Sequence, residues 1–337
     1  MQTEIHDVDA LEAQLGAKPK AIDLKVIDHL DGEALKWLAA SRLAFVGFSD
    51  ARRIDATLAG GSAGFARAMD PRRLHMPLDG LDHPAEARPG RGVGMLFLVG
   101  GLDETLRING RVANVDAQGV EIEVQECYAH CGKALMRSAF WHPTVAPGAT
   151  LRVPDFLAAC RFMVLITANH SLHTDASPKG DPAGLLVQSD ADDIRFADRP
   201  GNRKTDSFRN LLERPDAAAL LIAPSLPFIA RIQGRAVLNT ESTLREAFAV
   251  NGKVPKLVTR LELAAPIVLE ESPVLVRAAP WTTTASPPPG IDPAATFAAH
   301  VKLNRQKGLH AAFVGALVSI PGAMRKGLEA DYRRKMY

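Results

Sequence analysis

The hydrophobic positions of the chain are grouped into short runs that alternate with turn-forming residues. Short apolar runs between Gly, Asn, Asp or Pro predict strands, and their close spacing is typical of a barrel. Stretches with helical spacing, at 31–40 and 154–159, precede the first apolar run of each half. The predicted strands lie at 43–48, 94–99, 106–112 and 120–125 in the first half and at 162–167, 184–188, 219–223 and 228–237 in the second.

Similar short sequences recur in the same order in the two halves. Any one match between small apolar residues is weak, but three collinear matches indicate duplication of one domain of about 120 residues. We therefore expect two similar domains packed as an internal pseudo-dimer. The matching pairs are WLAASR at 37–42 with FLAACR at 156–161, LRINGRV at 106–112 with ARIQGRA at 230–236, and RSAFW at 137–141 with RAAPW at 277–281.

This repeat divides the chain into four parts. We expect an N-terminal extension at 1–30, a first domain at 31–143, a second domain at 152–281, and a Pro-rich linker with a helical tail at 282–337, with 143–154 joining the domains. The tail is rich in Ala, Lys and Arg. Its helices are expected to pack on a barrel or a partner subunit, and binding to a membrane surface is the alternative.

Composition excludes several classes of protein. The chain has 337 residues, is 47% hydrophobic and 23% charged, and carries a net charge of +2. A weak net charge with few aromatic residues argues against nucleic acid as a partner. Three cysteines argue against a disulfide framework and fit a reducing, cytoplasmic location. We expect no signal peptide and no membrane span.

The strongest local motif is a basic turn before a predicted helix. Residues 197–208 have the sequence ADRPGNRKTDSF. Gly201 and Asn202 tolerate positive φ, so the turn can direct successive N–H groups at one point. Arg203 and Lys204 then supply charges suited to a phosphate, and the helix start at 205–207 adds the positive end of its dipole. A solvated basic turn is the alternative interpretation.

The motifs on either side give this turn a context. Residues 175–184 have the sequence DASPKGDPAG, and residues 228–236 have FIARIQGRA. Their order around the turn resembles the pyridoxamine 5'-phosphate oxidase-like family of FMN-binding split β-barrels. The resemblance implies a mainly β fold with helices (α+β), made of two split barrels in tandem and a C-terminal helical tail. It also implies FMN contacts from Ser177, Pro178, Lys179, Asp198, Asn202, Arg203, Lys204 and Ser207.

A second candidate segment lies in the first half, where residues 126–138 have the sequence ECYAHCGKALMRS. Cys127, His130 and Cys131 invite a zinc interpretation, but a structural zinc site needs four ligands, so we predict no metal. In the resembled family a similar segment reaches a neighbouring flavin pocket. That likeness makes Lys133 and Arg137 candidate contacts to FMN or to an acidic substrate. A helix that packs Cys131 and Leu135 inward is the alternative.

The first half departs from the family pattern at the cofactor site. Its segment 74–83, LHMPLDGLDH, lacks the Gly-Asn-Arg-Lys sequence, and 55–66 lacks the Ser-Pro-Lys sequence. Without the cations that pair with a phosphate, burial of an FMN dianion is unfavourable there. We therefore expect a degenerate first domain and at most one FMN per chain.

The resemblance implies an FMN-dependent oxidoreductase of unknown substrate, with an electron donor such as NAD(P)H. Flavin carries the electron transfer itself, which accounts for the lack of an evident acid–base constellation, and we assign no catalytic residue. The alternative is a non-enzymatic protein that stores or senses flavin or haem. A deazaflavin or haem remains open in place of FMN, as does a homodimer.

Overall fold

The computed structural model describes residues 3–143, 151–190, 192–201, 203–282, 287–304, 323–334 and 336–337. This described part contains two antiparallel sheets. The first sheet has the strand order β2-β1-β5-β6-β7-β4-β3. Its strands are β1 (Leu43–Ser49), β2 (Ile54–Gly60), β3 (Arg67–Asp70), β4 (Arg73–Met76), β5 (Gly92–Leu98), β6 (Thr105–Val115) and β7 (Val120–His130).

The second sheet repeats the first strand for strand. It runs β9-β8-β12-β13-β14-β11-β10, with β15 paired to β13. This is the order of the first sheet with each strand, β1 to β7, replaced by its equivalent in the second half, β8 to β14, as duplication predicts. Its strands are β8 (Phe162–Ala168), β9 (Thr174–Gly180), β10 (Gln188–Ser189), β11 (Asp193–Ala197), β12 (Asp216–Ile222), β13 (Phe228–Asn239), β14 (Val258–Leu263) and β15 (Leu269–Glu271).

Short helices surround the two sheets. Some of them begin after an aspartate whose carboxylate accepts a backbone N–H. Asp7 accepts from Ala10 and Asp31 from Ala34, each at 2.8 Å, and Asp292 accepts from Ala294 at 2.9 Å. The helices are α1 (Val8–Leu15), α2 (Gly32–Ala40), α3 (Lys133–Ser138), α4 (Val153–Ala159), α5 (Asp206–Glu213), α6 (Ser242–Glu246), α7 (Pro273–Ala278), α8 (Pro293–Leu303) and α9 (Ala323–Arg334). The expected fold class, mainly β with helices in two tandem split-barrel-like units, is confirmed.

The two sheets pack against each other through a shared apolar core. Phe45 of β1 lies 5.4 Å from Phe162 of β8 between ring centroids, and Phe140 lies 4.9 Å from the same ring. Strands β1, β5 and β8 are buried on both faces, which explains their uninterrupted apolar sequences. The domain boundaries inferred from the repeat remain a prediction.

The N-terminal segment packs on the second half, and the tail helix α8 packs on the first half. Ile5, Leu11 and Leu15 join the core of the second sheet. The tail helix α8 packs instead on the first half, where Trp37 Nε1 donates to Thr296 Oγ1 at 3.1 Å. Residues 305–322 of the tail lie outside the described part. No helix in the described ranges is long and apolar enough to cross a membrane.

One predicted strand is wrong. Residues 184–187 form a turn, and only Gln188 belongs to a strand, the two-residue β10. Gly184 has a φ of 76°, a left-handed conformation that strands do not adopt. Leu186 and Val187 are nevertheless buried in the second core, so the apolar run reflects burial rather than pairing.

The close approach of α3 to the second sheet yields a first prediction. A Cβ at Gly180 would lie 1.9 Å from the main-chain oxygen of Ala134. Gly180→Ala should therefore force α3 away from β9 and lower the free energy of unfolding by about 1–3 kcal/mol. Urea unfolding measures this, with Gly32→Ala as the control because nothing lies within 4 Å of its Cβ position. Equal stability of the two variants would contradict the packing described.

Candidate functional site

A cavity of about 520 Å³ lies between the second sheet, the turn that follows β11, and α3 of the first half. Its volume is in the range of small-molecule sites, roughly 300–1,000 Å³. Of the ten residues that the sequence nominates for FMN contact, nine line this cavity, and Asn202 lies outside the described residues. The nine are Lys133, Arg137, Ser177, Pro178, Lys179, Asp198, Arg203, Lys204 and Ser207.

Strand β9 forms one wall of the cavity. It is the last strand of its sheet, so one of its edges has no strand partner in the described part of the chain. Pro178, which has no N–H to donate, is tolerated at such an edge. Ser177, Pro178, Lys179 and Gly180 all line the cavity, so consecutive positions of the strand border it rather than alternate ones.

Lys179 is held by contacts on both sides. Its Nζ lies 3.9 Å from Asp198 Oδ1 and 4.9 Å from the centroid of the Phe208 ring. Burial lowers the pKa of Lys179 and raises the pKa of Asp198, each opposed by the charge of the other. A bound anion would favour the charged lysine, so ligand binding and protonation are coupled here.

The basic turn differs in conformation from the sequence expectation. The left-handed residue of its described part is Arg203, with a φ of 57°, whereas Gly201 is not left-handed. Arg203 is exposed and forms no ion pair with a described residue. A non-glycine residue in this conformation costs free energy that the surroundings must offset, and such residues cluster at ligand sites.

Lys204 is engaged by the protein itself. Its Nζ forms ion pairs with Asp206 and, at 3.2 Å, with Asp23, and lies 5.0 Å from the centroid of the Tyr128 ring. Although burial opposes it, the charge of Asp206 raises the pKa of Lys204. An anion at the turn would share this lysine with two carboxylates, so Arg203 is the more available cation.

Helix α5 directs its N-terminus toward the turn. Thr205, at the N-cap, makes no side-chain cap, so the first-turn N–H groups stay available to a ligand. Ser207 Oγ donates to Asp175 Oδ2 at 2.6 Å. The other oxygen of Asp175 accepts from Arg107, a residue of β6 that is only 2% exposed. The first half thereby fixes the start of α5.

The first half also lines the cavity directly. Lys133 Nζ is ion-paired with Asp331 at 2.6 Å. Arg137 donates to three main-chain oxygens, of Gly180 at 2.9 Å, Met336 at 3.1 Å and Pro200 at 3.3 Å. The segment reaches the second half's cavity as the resemblance implied.

The alternative interpretation, a helix that packs Cys131 and Leu135 inward, agrees with the position of Leu135 but not with that of Cys131. Leu135 does pack inward, into the core shared by the sheets. Cys131 and His130 line the cavity, whereas Cys127 is buried in the first core and does not face them. Burial lowers the pKa of His130 well below its usual value, and the cations nearby act in the same direction, so the ring is neutral.

Sequence reasoning missed several residues of the cavity. Arg199 lies in the basic turn but is not among the predicted FMN contacts, and Lys253, Lys256 and Tyr337 are distant from that turn in sequence. Of the charged residues that line the described cavity, eight are cationic and two are acidic, which favours an anionic ligand. The cationic residues are Lys133, Arg137, Lys179, Arg199, Arg203, Lys204, Lys253 and Lys256, and the acidic ones are Asp181 and Asp198.

The corresponding place in the first half is filled by the protein itself. Leu81 pairs with Ala59 of β2, the strand equivalent to β9. Asp82 accepts from Ser272 Oγ at 2.5 Å and from Val274 N at 2.8 Å, which ties the segment to α7 of the second half. This segment occupies the position that the basic turn and cavity have in the second half.

A buried lysine beside the site yields a pH prediction. Lys25 donates to the oxygen of Ala129 at 2.7 Å, and burial lowers its pKa from 10.5 to about 7. Cys131 and Asp23 oppose this shift, whereas Lys204 and Arg107 reinforce it. Between these pKa values the unfolded lysine is protonated and the native one is neutral, so stability rises with pH.

We expect Lys25→Met to lose this dependence. Relative to the variant, the wild type should gain up to about 1.4 kcal/mol of unfolding free energy per pH unit above pH 7. Urea unfolding at pH 7, 8 and 9 measures the difference. Parallel pH profiles of unfolding free energy for the wild type and the variant would show that the pKa of Lys25 is not lowered in the native state.

Residues 150–273 match the family model described as pyridoxamine 5'-phosphate oxidase. No curated protein matches the chain. Similar solved structures include HupZ from Group A Streptococcus, 15% identical over 36% of this chain and 96% of that chain, with a TM-score of 0.30. General Stress Protein 26 from Bacillus anthracis is 15% identical over 35% and 89%, with a TM-score of 0.28. An F420 reductase is 15% identical over 36% and 97%, with a TM-score of 0.27.

The matched region runs from just before α4 to the first residue of α7, and so contains the whole second sheet. It also contains β9, the basic turn and α5, which form one side of the cavity. Residues 150–273 therefore resemble the pyridoxamine 5'-phosphate oxidase family, and the match covers both the second sheet and one side of the cavity.

Proposed function

We propose that the cavity binds FMN and that the protein is an FMN-dependent oxidoreductase. The observation that carries this proposal is the convergence of nine sequence-nominated residues on one cationic cavity. They come from β9, the basic turn and α5 of the second half and from α3 of the first, so their meeting does not follow from sequence proximity.

The donor set fits a flavin phosphate at the basic turn. Arg203 offers a guanidinium that forms no ion pair within the described residues, Lys204 a second charge, and the start of α5 its first-turn N–H groups. Ser207 borders the same end of the cavity. A phosphate dianion placed there would find charge and donors together, which lowers the cost of its burial.

The remaining nominated residues fit the flavin ring. The edge of β9 at Ser177, Pro178 and Lys179, which pairs with no described strand, offers main-chain groups along one wall of the cavity. Lys133 and Arg137 of α3 line the cavity beside this strand, where Arg137 Nε donates to the oxygen of Gly180 at 2.9 Å. When bound, flavin supplies electron transfer, while these residues bind and orient it, and NAD(P)H is the proposed class of electron donor. Free cysteines accord with a proposed cytoplasmic location.

The absorption spectrum of the purified protein, with mass identification of the released ligand, tests this proposal. We expect a flavin spectrum, a released mass equal to that of FMN, and bleaching by NAD(P)H under anaerobic conditions. A colourless protein that takes up no FMN would overturn the proposal. A Soret band would indicate haem instead, and the mass of a deazaflavin would reject FMN as the cofactor.

A further inference from the structure

We infer that the mouth of the cavity contains a second anion site, formed by Arg199, Arg137 and Lys253, which binds a carboxylate or phosphate group of the substrate. The inference rests on the proposed function, because it takes the cavity to hold both flavin and substrate. It assigns the substrate to the class of small acidic molecules.

The two anion sites lie at opposite ends of β9. Asp175, at the start of the strand, holds Ser207 and with it the start of α5. Asp181, just past the end of the strand, holds Arg199. Asp181 lies six positions after Asp175, a span of about 20 Å in an extended chain. A ligand phosphate at the basic turn therefore leaves the Arg199 end available for another molecule.

Arg199 has an unsatisfied donor at the cavity. Its side chain is only 5% exposed. Nε donates to Asp181 Oδ2 and Nη1 to the oxygen of Phe248, both at 2.8 Å, whereas the buried Nη2 has no partner among the described residues. The guanidinium also lies 5.5 Å from the centroid of the Tyr337 ring. Leaving a buried charged donor unpaired is costly, and a ligand oxygen would satisfy it.

The cations beside Arg199 are also available to an anion. Arg137 donates only to main-chain oxygens, including that of Pro200 in the adjacent turn. Lys253 is exposed and donates to the main-chain oxygen of Tyr337 at 2.9 Å. Neither forms an ion pair with a carboxylate side chain of the described chain. A guanidinium fork with a second cation nearby is the arrangement that carboxylates and phosphates prefer.

The test is the variant Arg199→Lys, which can keep the charge opposite Asp181 but removes the free Nη2. Arg214→Lys is the matched control. Arg214 also pairs through Nε with a carboxylate, donates to a main-chain oxygen and has an unpartnered Nη2, but it does not line the cavity. FMN-loaded protein is titrated with inorganic phosphate and separately with succinate, and the change in flavin absorbance is followed.

We expect saturable binding of at least one of these anions to wild type and to Arg214→Lys, and at least tenfold weaker binding to Arg199→Lys. Binding of phosphate alone would assign a phosphorylated substrate, and binding of succinate alone a carboxylate. Equal affinity in Arg199→Lys and wild type, or no binding of either anion to wild type, would overturn the inference.

A calorimetric titration of the apoprotein separates this inference from the proposed function. Two phosphates per chain are expected, one lost in Arg199→Lys and the other in Arg203→Ala. If FMN fails to bind while one phosphate still depends on Arg199, the mouth site stands and the flavin assignment falls. If FMN binds but no phosphate depends on Arg199, the mouth site is wrong.

Discussion

Replacing Arg203 and Lys204 together with alanine should weaken FMN binding at least tenfold. Each charge-assisted hydrogen bond to a phosphate contributes about 1.5–3 kcal/mol, so loss of both cations exceeds the roughly 1.4 kcal/mol that corresponds to a factor of ten. The two residues differ in what else they do. Lys204 also pairs with Asp23 and Asp206, whereas Arg203 forms no ion pair in the described chain.

The single variants separate these roles. Arg203→Ala alone should cause much of the loss in FMN affinity seen in the double variant, with the unfolding midpoint unchanged. Lys204→Ala should weaken FMN binding and also lower stability. Fluorescence quenching during FMN titration gives the affinity. Arg209→Ala is the matched control, because Arg209 lies on α5 and pairs with Glu12 but does not line the cavity. Unchanged FMN affinity in a folded double variant would reject the phosphate assignment.

Asp175→Ala should lower the free energy of unfolding by about 3–5 kcal/mol. Asp175 and Arg107 form a buried ion pair between the halves, and Arg107 also donates to the Tyr128 hydroxyl at 3.1 Å. Although burial opposes it, the charge of Asp175 raises the pKa of Arg107. Removing the carboxylate leaves a buried guanidinium without its counter-charge, which is the costly case for such pairs.

Urea unfolding measures this cost. The double variant Arg107→Leu/Asp175→Leu should recover part of the loss, since it removes both charges together. Arg152→Ala is the control, because its pair with Asp155 is exposed and should contribute at most about 1 kcal/mol. A loss below that value in Asp175→Ala would mean that the pair does not hold the two halves together.

The strand pattern could be predicted because it is local. Phe162 to Thr167 is apolar and flanked by polar residues, and the structure places a strand there, β8. The repeat extends this inference to architecture, since two halves with matching motifs favour matching topologies. The prediction of a strand at 184–188 is wrong because a buried turn and a paired strand have the same apolar composition over so short a stretch.

Pairings between distant segments could not be predicted. Nothing near Asp175 in sequence indicates that Arg107, from the other half, would neutralise it. Lys253 and Tyr337 likewise reach the cavity through tertiary packing. The sequence did nominate Lys204 correctly as a lining residue, but it could not show that two carboxylates already share its charge.

The number of FMN molecules bound per chain tests the central claim most directly. The second half has the cationic turn and the cavity, whereas in the first half Asp82 and its neighbours occupy the equivalent place. Titration of apoprotein with FMN, followed by fluorescence quenching, should saturate at about one molecule per chain. The double variant Arg203→Ala/Lys204→Ala should not reach saturation over the same range of FMN concentration. Saturation near two per chain, or a phosphate bound beside residues 75–82, would contradict the account.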